Sequence, residues 1–309
     1  MSLALLVPGA EGQLAADLLD LVRFEHNAFA RGLTVEGLDV TDPFAVKDMV
    51  ALWARLLRSD SPDHQLVVIN AAVPADLDSG ARADVDEDDA YAVEALAPAL
   101  LAQACAAAGA RLLHVSTAEV FAGDRDGPPY DVDDPTGPTN AYGRTKLAGE
   151  QAVRELHPDG GYVVRTAWLY GAGGANIVKT MARLERERDT VAFVADQHGS
   201  PTWSRDLAAG LIALARSQAP AGTYHCTNTG ETTWHGLAQA VFAELGADPA
   251  RVAPSTTADY PTPASRPAYS VLSPRAWEQA GLPAMRGWRE ALTQAFATSG
   301  DAFRAAPTA

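Results

Sequence analysis

The sequence predicts an α/β fold: a doubly wound parallel sheet accompanied by a smaller, discontinuous lobe. Three observations carry this reading. Short apolar runs alternate with longer Ala- and Leu-rich stretches, the pattern of strands joined by crossover helices. The first apolar run ends in a glycine-bearing turn that opens a helix, Gly9-Ala10-Glu11-Gly12-Gln13-Leu14-Ala15. A chain of 309 residues with 47% hydrophobic content also suffices for one large domain, or for two lobes sharing a core.

Taken in order, Leu3–Val7 is the first strand and Gln13–Val22 the first helix. Leu66–Asn70, a helix over Tyr91–Ala108 and Leu112–Ser116 continue the alternation. Pro98 either kinks the helix of 91–108 or marks a later start. The acidic residues Asp84, Asp86, Glu87, Asp88 and Asp89 just before it read as a solvated loop with favourable charge at a helix N-terminus. A helix over about Tyr142–Leu156 leads to the strand Tyr162–Thr166. After Trp168-Leu169-Tyr170-Gly171 the pattern loosens. Gly173-Gly174, a helix near Asn176–Arg186 and the run Asp196–Thr202 are segments of the kind that form substrate loops at a sheet's carboxyl edge. Helices near Ser204–Ser217 and Thr233–Leu245 bring the chain back to the core and away again.

Composition narrows the function. A formal net charge of −15 and a pI near 4.8 oppose nucleic-acid binding through general attraction, because a phosphate backbone is repelled. An anionic nucleotide then needs a local positive pocket. Cys105 and Cys226 are the only cysteines and have no metal-ligand spacing, so neither a disulfide framework nor a zinc site is expected. No run approaches the ~20 apolar residues of a membrane span. The start lacks a basic segment and its apolar run stops at Pro8-Gly9, unlike a signal peptide. A cytoplasmic protein is expected, with the oligomeric state left open and a homodimer compatible.

Glycines at 9 and 12 permit a tight turn and close backbone approach to a pyrophosphate, which the following helix N-terminus stabilises. An ordinary strand-to-helix turn would look similar, but position in the first βα unit favours the dinucleotide site. Asn70-Ala71-Ala72 and Ser116-Thr117 follow the next two strands, where ligands of parallel sheets bind. The expected organisation is a dinucleotide-binding domain over 1–170 plus about 204–228, with a substrate lobe from about 171–203 and 229–309.

Tyr142 and Lys146 supply the chemistry. With eight Tyr and three Lys in the chain, a Tyr-x-x-x-Lys pair is expected by chance only about 0.08 times. Residues i and i+4 share a helix face, so a phenol and an ammonium point into one cleft. A free phenol ionises near pH 10, and an adjacent positive charge favours the phenolate left after proton transfer. Thr117 alone reads as a helix cap or loop residue. Beside the Tyr–Lys pair it becomes a third member that can hydrogen-bond a reacting carbonyl.

With these residues placed, the chain resembles the extended short-chain dehydrogenase/reductases, whose sheet is of Rossmann type, and within them the dTDP-4-dehydrorhamnose reductase family. The matching runs span nearly the whole chain: Gly9–Ala15, Leu38–Pro43, Val67–Ala72, His114–Thr117, Asn140–Gln151, Arg165–Gly171, Asp196–Thr202 and Tyr260–Pro267. Leu147-Ala148-Gly149-Glu150 and Asp196–Thr202 match this reductase group more narrowly than the superfamily. The resemblance implies that a reduced nicotinamide delivers hydride to carbon 4 of a dTDP-4-keto-6-deoxyhexose, with Thr117, Tyr142 and Lys146 as the catalytic residues. It implies a cofactor site of Gly9, Gly12, Gln13, Leu14, Asp39, Val40, Asn70, Ala71, Ala72 and Ser116, together with Tyr142 and Lys146. Arg31, placed just beyond the expected second strand, could accept the 2′-phosphate of NADPH, although a surface Arg would look identical; NADPH is the expected cofactor, with NADH an alternative. The implied substrate residues are Val73, Ala118, Glu119, Trp168, Asn176, Lys179, Thr202 and Arg266. Lys179 and Arg266 could pair with the substrate diphosphate. Read without the resemblance, Trp168 is a core residue and the two cations are solvated charges.

The chain departs from the family in two places. Ser116-Thr117-Ala118-Glu119-Val120-Phe121 lacks the acid that normally follows the Thr, and a carboxylate stands one residue later. Sugar-nucleotide dehydratases use two acids at this turn, so elimination is expected to be impaired while carbonyl reduction is not. Over Val73–Glu94 the usual Lys is absent and Glu94 stands where Asn is usual. These positions are expected to border the sugar pocket, which suggests a deoxysugar related to the rhamnose precursor. A non-catalytic regulatory subunit and an epimerase with tightly held NAD remain alternative readings, and no metal site is expected. No His-Glu-x-x-His helix or Gly-x-Ser-x-Gly turn is present.

Overall fold

The computed structural model describes residues 2–60, 64–73, 90–259 and 266–304. The central sheet is built from β1 (Ser2–Pro8), β2 (Ala28–Leu33), β3 (His64–Asn70), β4 (Arg111–Thr117) and β5 (Gly161–Thr166). Short strands β6 (Leu169–Tyr170), β7 (Val191–Val194), β8 (His198–Gly199) and β9 (Thr202–Trp203) follow. The chain then re-enters the sheet as β10 (Gly222–His225) and leaves through β11 (Thr232–Thr233) and β12 (Val252–Ser255). The central order is β10-β5-β4-β3-β1-β2 with every pair parallel. From β1 the chain passes to one side for β2 and to the other for β3. That reversal leaves a crevice at the carboxyl ends of β1 and β3, where such sheets bind ligands.

The near-continuous apolar strands are explained by burial on both faces. Leu5, Val7 and Ile69 face α1 (Gln13–Arg23), through Leu14, Leu18 and Val22. Ala4, Leu6 and Val68 point the other way, against Val46 and Val50 of α2 (Pro43–Asp60) and Leu101 and Cys105 of α3 (Ala97–Ala108). Each such Leu or Val contributes about 1.5–3 kcal/mol by leaving water. The start of α2 explains Asp42-Pro43: the Asp42 carboxylate accepts from the amides of Phe44 at 2.8 Å and Ala45 at 3.2 Å, and Pro43 suits the first helical position.

Next come α4 (Ala141–Leu156), α5 (Ile177–Glu187), α6 (Ser204–Arg216), α7 (Trp234–Glu244), α8 (Arg275–Gln279) and α9 (Trp288–Arg304). Helix α6 packs beside α1 on the sheet. A second core joins Val178 and Met181 of α5 to Leu237 and Val241 of α7 and to Leu292 and Phe296 of α9. Trp277 of α8 and Leu282, from the stretch assigned by sequence to the substrate lobe, pack instead in the sheet's core.

The helix expected over Tyr91–Ala108 has a five-residue π-helical turn, Ala92–Leu96, before α3. Pro98 follows directly on that turn inside a continuous helix, and the wider winding just before it accommodates a residue that has no N–H to donate. The acidic run at 84–89 lies outside the described residues. Among the described residues, no helix is long and apolar enough to cross a membrane.

Candidate active site

The carboxyl ends of β1, β3, β4 and β5 open into a cleft of about 530 Å³, closed on the far side by Phe193, Trp234 and Arg266. This volume suits a small-molecule site. Its floor is shaped by glycine. Gly9 has φ +79°, and a Cβ there would lie 2.5 Å from Ala72 Cα, so no other residue lets the β1 and β3 loops close together. Gly12 precedes α1 with no side-chain cap, which leaves amides at that helix N-terminus for an anion. Gly12, Gln13, Leu14, Asn70, Ala71 and Ala72 all line the cleft. Asn70 is buried, holding its loop by accepting from Ala72 N at 3.2 Å.

Tyr142 and Lys146 occupy the first two turns of α4 and reach the same cleft, the Lys146 ammonium 5.9 Å from the centre of the Tyr142 ring. The start of that helix is clamped to the turn after β4. Asn140 caps it, accepting from Gly143 N at 2.8 Å, and donates to Glu119 at 2.8 Å. A Cβ at Gly143 would collide with the Glu119 carbonyl oxygen. Thr117, at the end of β4, faces the cleft from this turn, and its hydroxyl accepts from Glu119 N at 3.2 Å. Lys146 itself is buried. It donates to Val115 O at 3.1 Å and forms an ion pair with Glu94 at 2.5 Å. Behind it, burial and the Lys146 charge hold His114 well below the usual histidine range, so the ring is neutral.

On the lobe side, Trp168 has φ +45°; among the described residues it is the only non-glycine with positive φ. That conformation costs about 1–3 kcal/mol. It is held by a stack on Trp234 with ring centres 3.5 Å apart, and a Cβ on Gly199 would collide with the indole. The two indoles form an aromatic wall. Arg266 is exposed at the cleft edge, its position set by Pro267 packing against Gly123. Val73, Ala118, Glu119 and Asn176 also line the cleft. Asn176 is occupied as the cap of α5, accepting from Lys179 N at 3.1 Å and donating to Gly171 O at 2.8 Å.

Several expected residues lie elsewhere. Arg31 is inside β2, paired with Leu6 and two residues short of the strand end, with its guanidinium over Trp53; β2 is longer than expected, so Arg31 does not follow it. Asp39 turns back on Thr41, accepting from its amide at 2.9 Å and hydroxyl at 2.6 Å. Those bonds lower its carboxyl below the usual range. Val40 packs in the α2-side core. Lys179 donates to the carbonyls of Ala172 at 2.6 Å and Gly174 at 2.8 Å, organising the loop before α5 instead of lining the cleft. Thr202 is fully buried in β9, donates to Ser200 O at 3.1 Å and does not line the cleft. Glu94 is fully buried against Lys146 and does not line the cleft.

The sequence profile described as "RmlD substrate binding domain" matches residues 3–300. The chain belongs to that family. It is 49% identical over 308 residues to a dTDP-4-dehydrorhamnose reductase of Streptomyces griseus, covering 98% of this chain and 96% of that one. It is 42% identical to a dTDP-4-keto-6-deoxy-D-glucose reductase of Streptomyces niveus, covering 94% and 96%. Among solved structures, dTDP-4-dehydrorhamnose reductase from Bacillus anthracis in complex with NADP superposes with a TM-score of 0.84 at 33% identity, over 96% of this chain and 100% of that one.

In this RmlD-family chain the Leu147-Ala148-Gly149-Glu150 run is structural. Glu150 is fully buried, receives two bonds from Arg165 at 2.7 and 2.9 Å, and accepts from the Ser116 hydroxyl at 2.6 Å. Ser116 thus contributes backbone to the cleft while its side chain ties β4 to α4. Phe193, Gln197 and Trp234 line the cleft too. Trp234 Nε1 donates to Gln197 at 3.0 Å. Gln197 belongs to the matched run Asp196–Thr202, whereas no motif marks Phe193, four residues before it, or Trp234, at the start of α7.

Proposed function

We propose that this chain reduces the 4-keto group of a dTDP-4-keto-6-deoxyhexose with NADPH. The observation that carries the proposal is the convergence of Thr117, Tyr142 and Lys146 on a cleft whose other end is the uncapped start of α1. The Gly9–Gly12 turn and the amides of Gln13 and Leu14 fit the pyrophosphate of a dinucleotide, since a side chain at Gly9 would fill the space. When bound, the reduced nicotinamide supplies the hydride.

Tyr142 gives its phenolic proton to the oxygen on carbon 4. Lys146, a fixed positive charge beside the ring, favours the phenolate that results. The Thr117 hydroxyl positions the same oxygen and stabilises its developing charge. Arg266 neutralises substrate diphosphate in a chain otherwise strongly acidic. Reduction is favoured over elimination because position 118 is Ala and the Glu119 carboxylate is engaged by Asn140. Glu94 does not line the cleft, so among the described residues Val73, Ala118 and Glu119 are the ones at the divergent positions that could favour a sugar other than dTDP-4-dehydrorhamnose.

A panel of dTDP-4-keto-6-deoxysugars, dTDP-4-dehydrorhamnose included, assayed with NADPH and with NADH tests the reading. Cofactor oxidation equimolar with sugar reduced, and a higher kcat/KM for NADPH, are expected. No cofactor consumption across the panel would favour a regulatory subunit. Inverted sugar without net oxidation would favour an epimerase.

A further inference from the structure

We propose that Glu94 is a positioning residue for the reduction: it grips Lys146 in one place as a buried ammonium beside Tyr142. This inference rests on the reductase reading above. Glu94 lies in the π-helical turn Ala92–Leu96, a wide turn of a type that recurs at functional sites. Its side chain is fully buried and its Oε2 is 2.5 Å from Lys146 Nζ, itself only 4% exposed. A carboxylate placed there without a cation would be strongly unfavourable, and so would the ammonium without the carboxylate. The approach is set by backbone as well. A Cβ at Gly149, one turn beyond Lys146 on α4, would collide with the Glu94 carbonyl oxygen, so the π-helical turn and α4 meet main chain to main chain at this point.

Lysine has a long, flexible stem, and an ammonium that swings cannot hold a constant field at the phenol. Here Nζ is held from two sides, by Glu94 and by Val115 O of β4 at 3.1 Å. Among the described residues, the other groups that face this pair are few. Tyr142 shares α4. Glu150, also on α4, is matched by Arg165 of β5 and by Arg154 at 3.2 Å. His114 of β4 is neutral and contacts Asn70 of β3 at 3.2 Å. Glu94 therefore supplies a buried negative charge in direct contact with Lys146. Removing that charge has two consequences of one sign. Burial then favours the neutral amine, and whatever ammonium survives acts on the Tyr142 phenol without the opposing Glu94 charge, favouring its ionised form. Either change withdraws the competent protonation state at lower pH.

The test compares kcat and kcat/KM against pH for the wild type and Glu94→Gln, which keeps the side chain's shape. The expected result is an alkaline limb of kcat/KM moved toward neutral by about one pH unit, with KM for the sugar changed less than about twofold. A Glu94→Gln profile that superimposes on the wild type overturns the proposal. If Glu94→Gln does not fold, Glu94→Asp and Glu94→Asn replace it. The Asp variant, which keeps the charge, should retain the wild-type alkaline limb more closely than Asn, and identical profiles overturn the role. A wild type that turns over no 4-keto sugar overturns both this inference and the reductase reading, whereas turnover with an unchanged Glu94→Gln profile overturns this inference alone.

Discussion

Tyr142→Phe is expected to lower kcat by about a thousandfold, the middle of the range for loss of a positioned general acid. That corresponds to roughly 4 kcal/mol of transition-state stabilisation. The change deletes one oxygen and leaves the ring in its place over α4, beside Lys146 at 5.9 Å. Binding of NADPH, measured by fluorescence titration, should change little, because the Gly9–Gly12 turn and the α1 amides are untouched. A fall in kcat with constant KM marks an interaction made only in the transition state. Near-normal turnover by Tyr142→Phe would remove the proton donor from this account.

The second large effect concerns stability. Glu150→Ala should cost about 3–5 kcal/mol, because it strands Arg165 as an uncompensated buried charge. Arg165 is 2% exposed and its guanidinium lies over Phe121 at 4.9 Å, so it cannot swing into water to recover solvation. The Ser116 hydroxyl loses its acceptor at the same time. Urea unfolding should report the loss as a lower midpoint with little change in slope. Replacing both charges with Met, Glu150→Met with Arg165→Met, should recover much of the loss, since apolar replacements of buried ion pairs are often neutral. A midpoint shift in Glu150→Ala equivalent to under about 1 kcal/mol would mean that Arg165 finds another partner.

The sheet was legible because strands buried on both faces write themselves as unbroken apolar runs: Leu3–Val7, Leu66–Asn70 and Leu112–Ser116 each fall within an observed strand. Helix α4 was legible from its Tyr–Lys spacing. The long α2 and the C-terminal α9 lay outside the expected elements, although α2 buries Val46, Val50, Ala54 and Leu57 at helical spacing. Residues fixed by the sheet topology, such as Gly12, Asn70, Thr117 and Tyr142, meet at the cleft as expected. Residues expected from matched runs alone are placed less uniformly, some of them away from the cleft. Thr202 and Lys179 sit in such runs, yet Thr202 packs inside β9 and Lys179 ties down a loop.

Glu94 illustrates the limit most clearly. Its position in the sequence suggested the sugar pocket, whereas the π-helical turn rotates it toward Lys146. A one-residue change in helical winding redirects a side chain, and residue order alone does not announce it. The aromatic wall was half legible: Trp168 belongs to a matched run, while its partner Trp234 comes from the start of α7, more than sixty residues later.

Isotope transfer tests the central claim most directly. With NADPH deuterated at the transferable position of the nicotinamide and a dTDP-4-keto-6-deoxyhexose as substrate, the account predicts a single deuterium at carbon 4 of the product, one per NADPH oxidised, read by NMR. Product carrying no label at carbon 4, or sugar recovered unreduced while the cofactor stays intact, would contradict it.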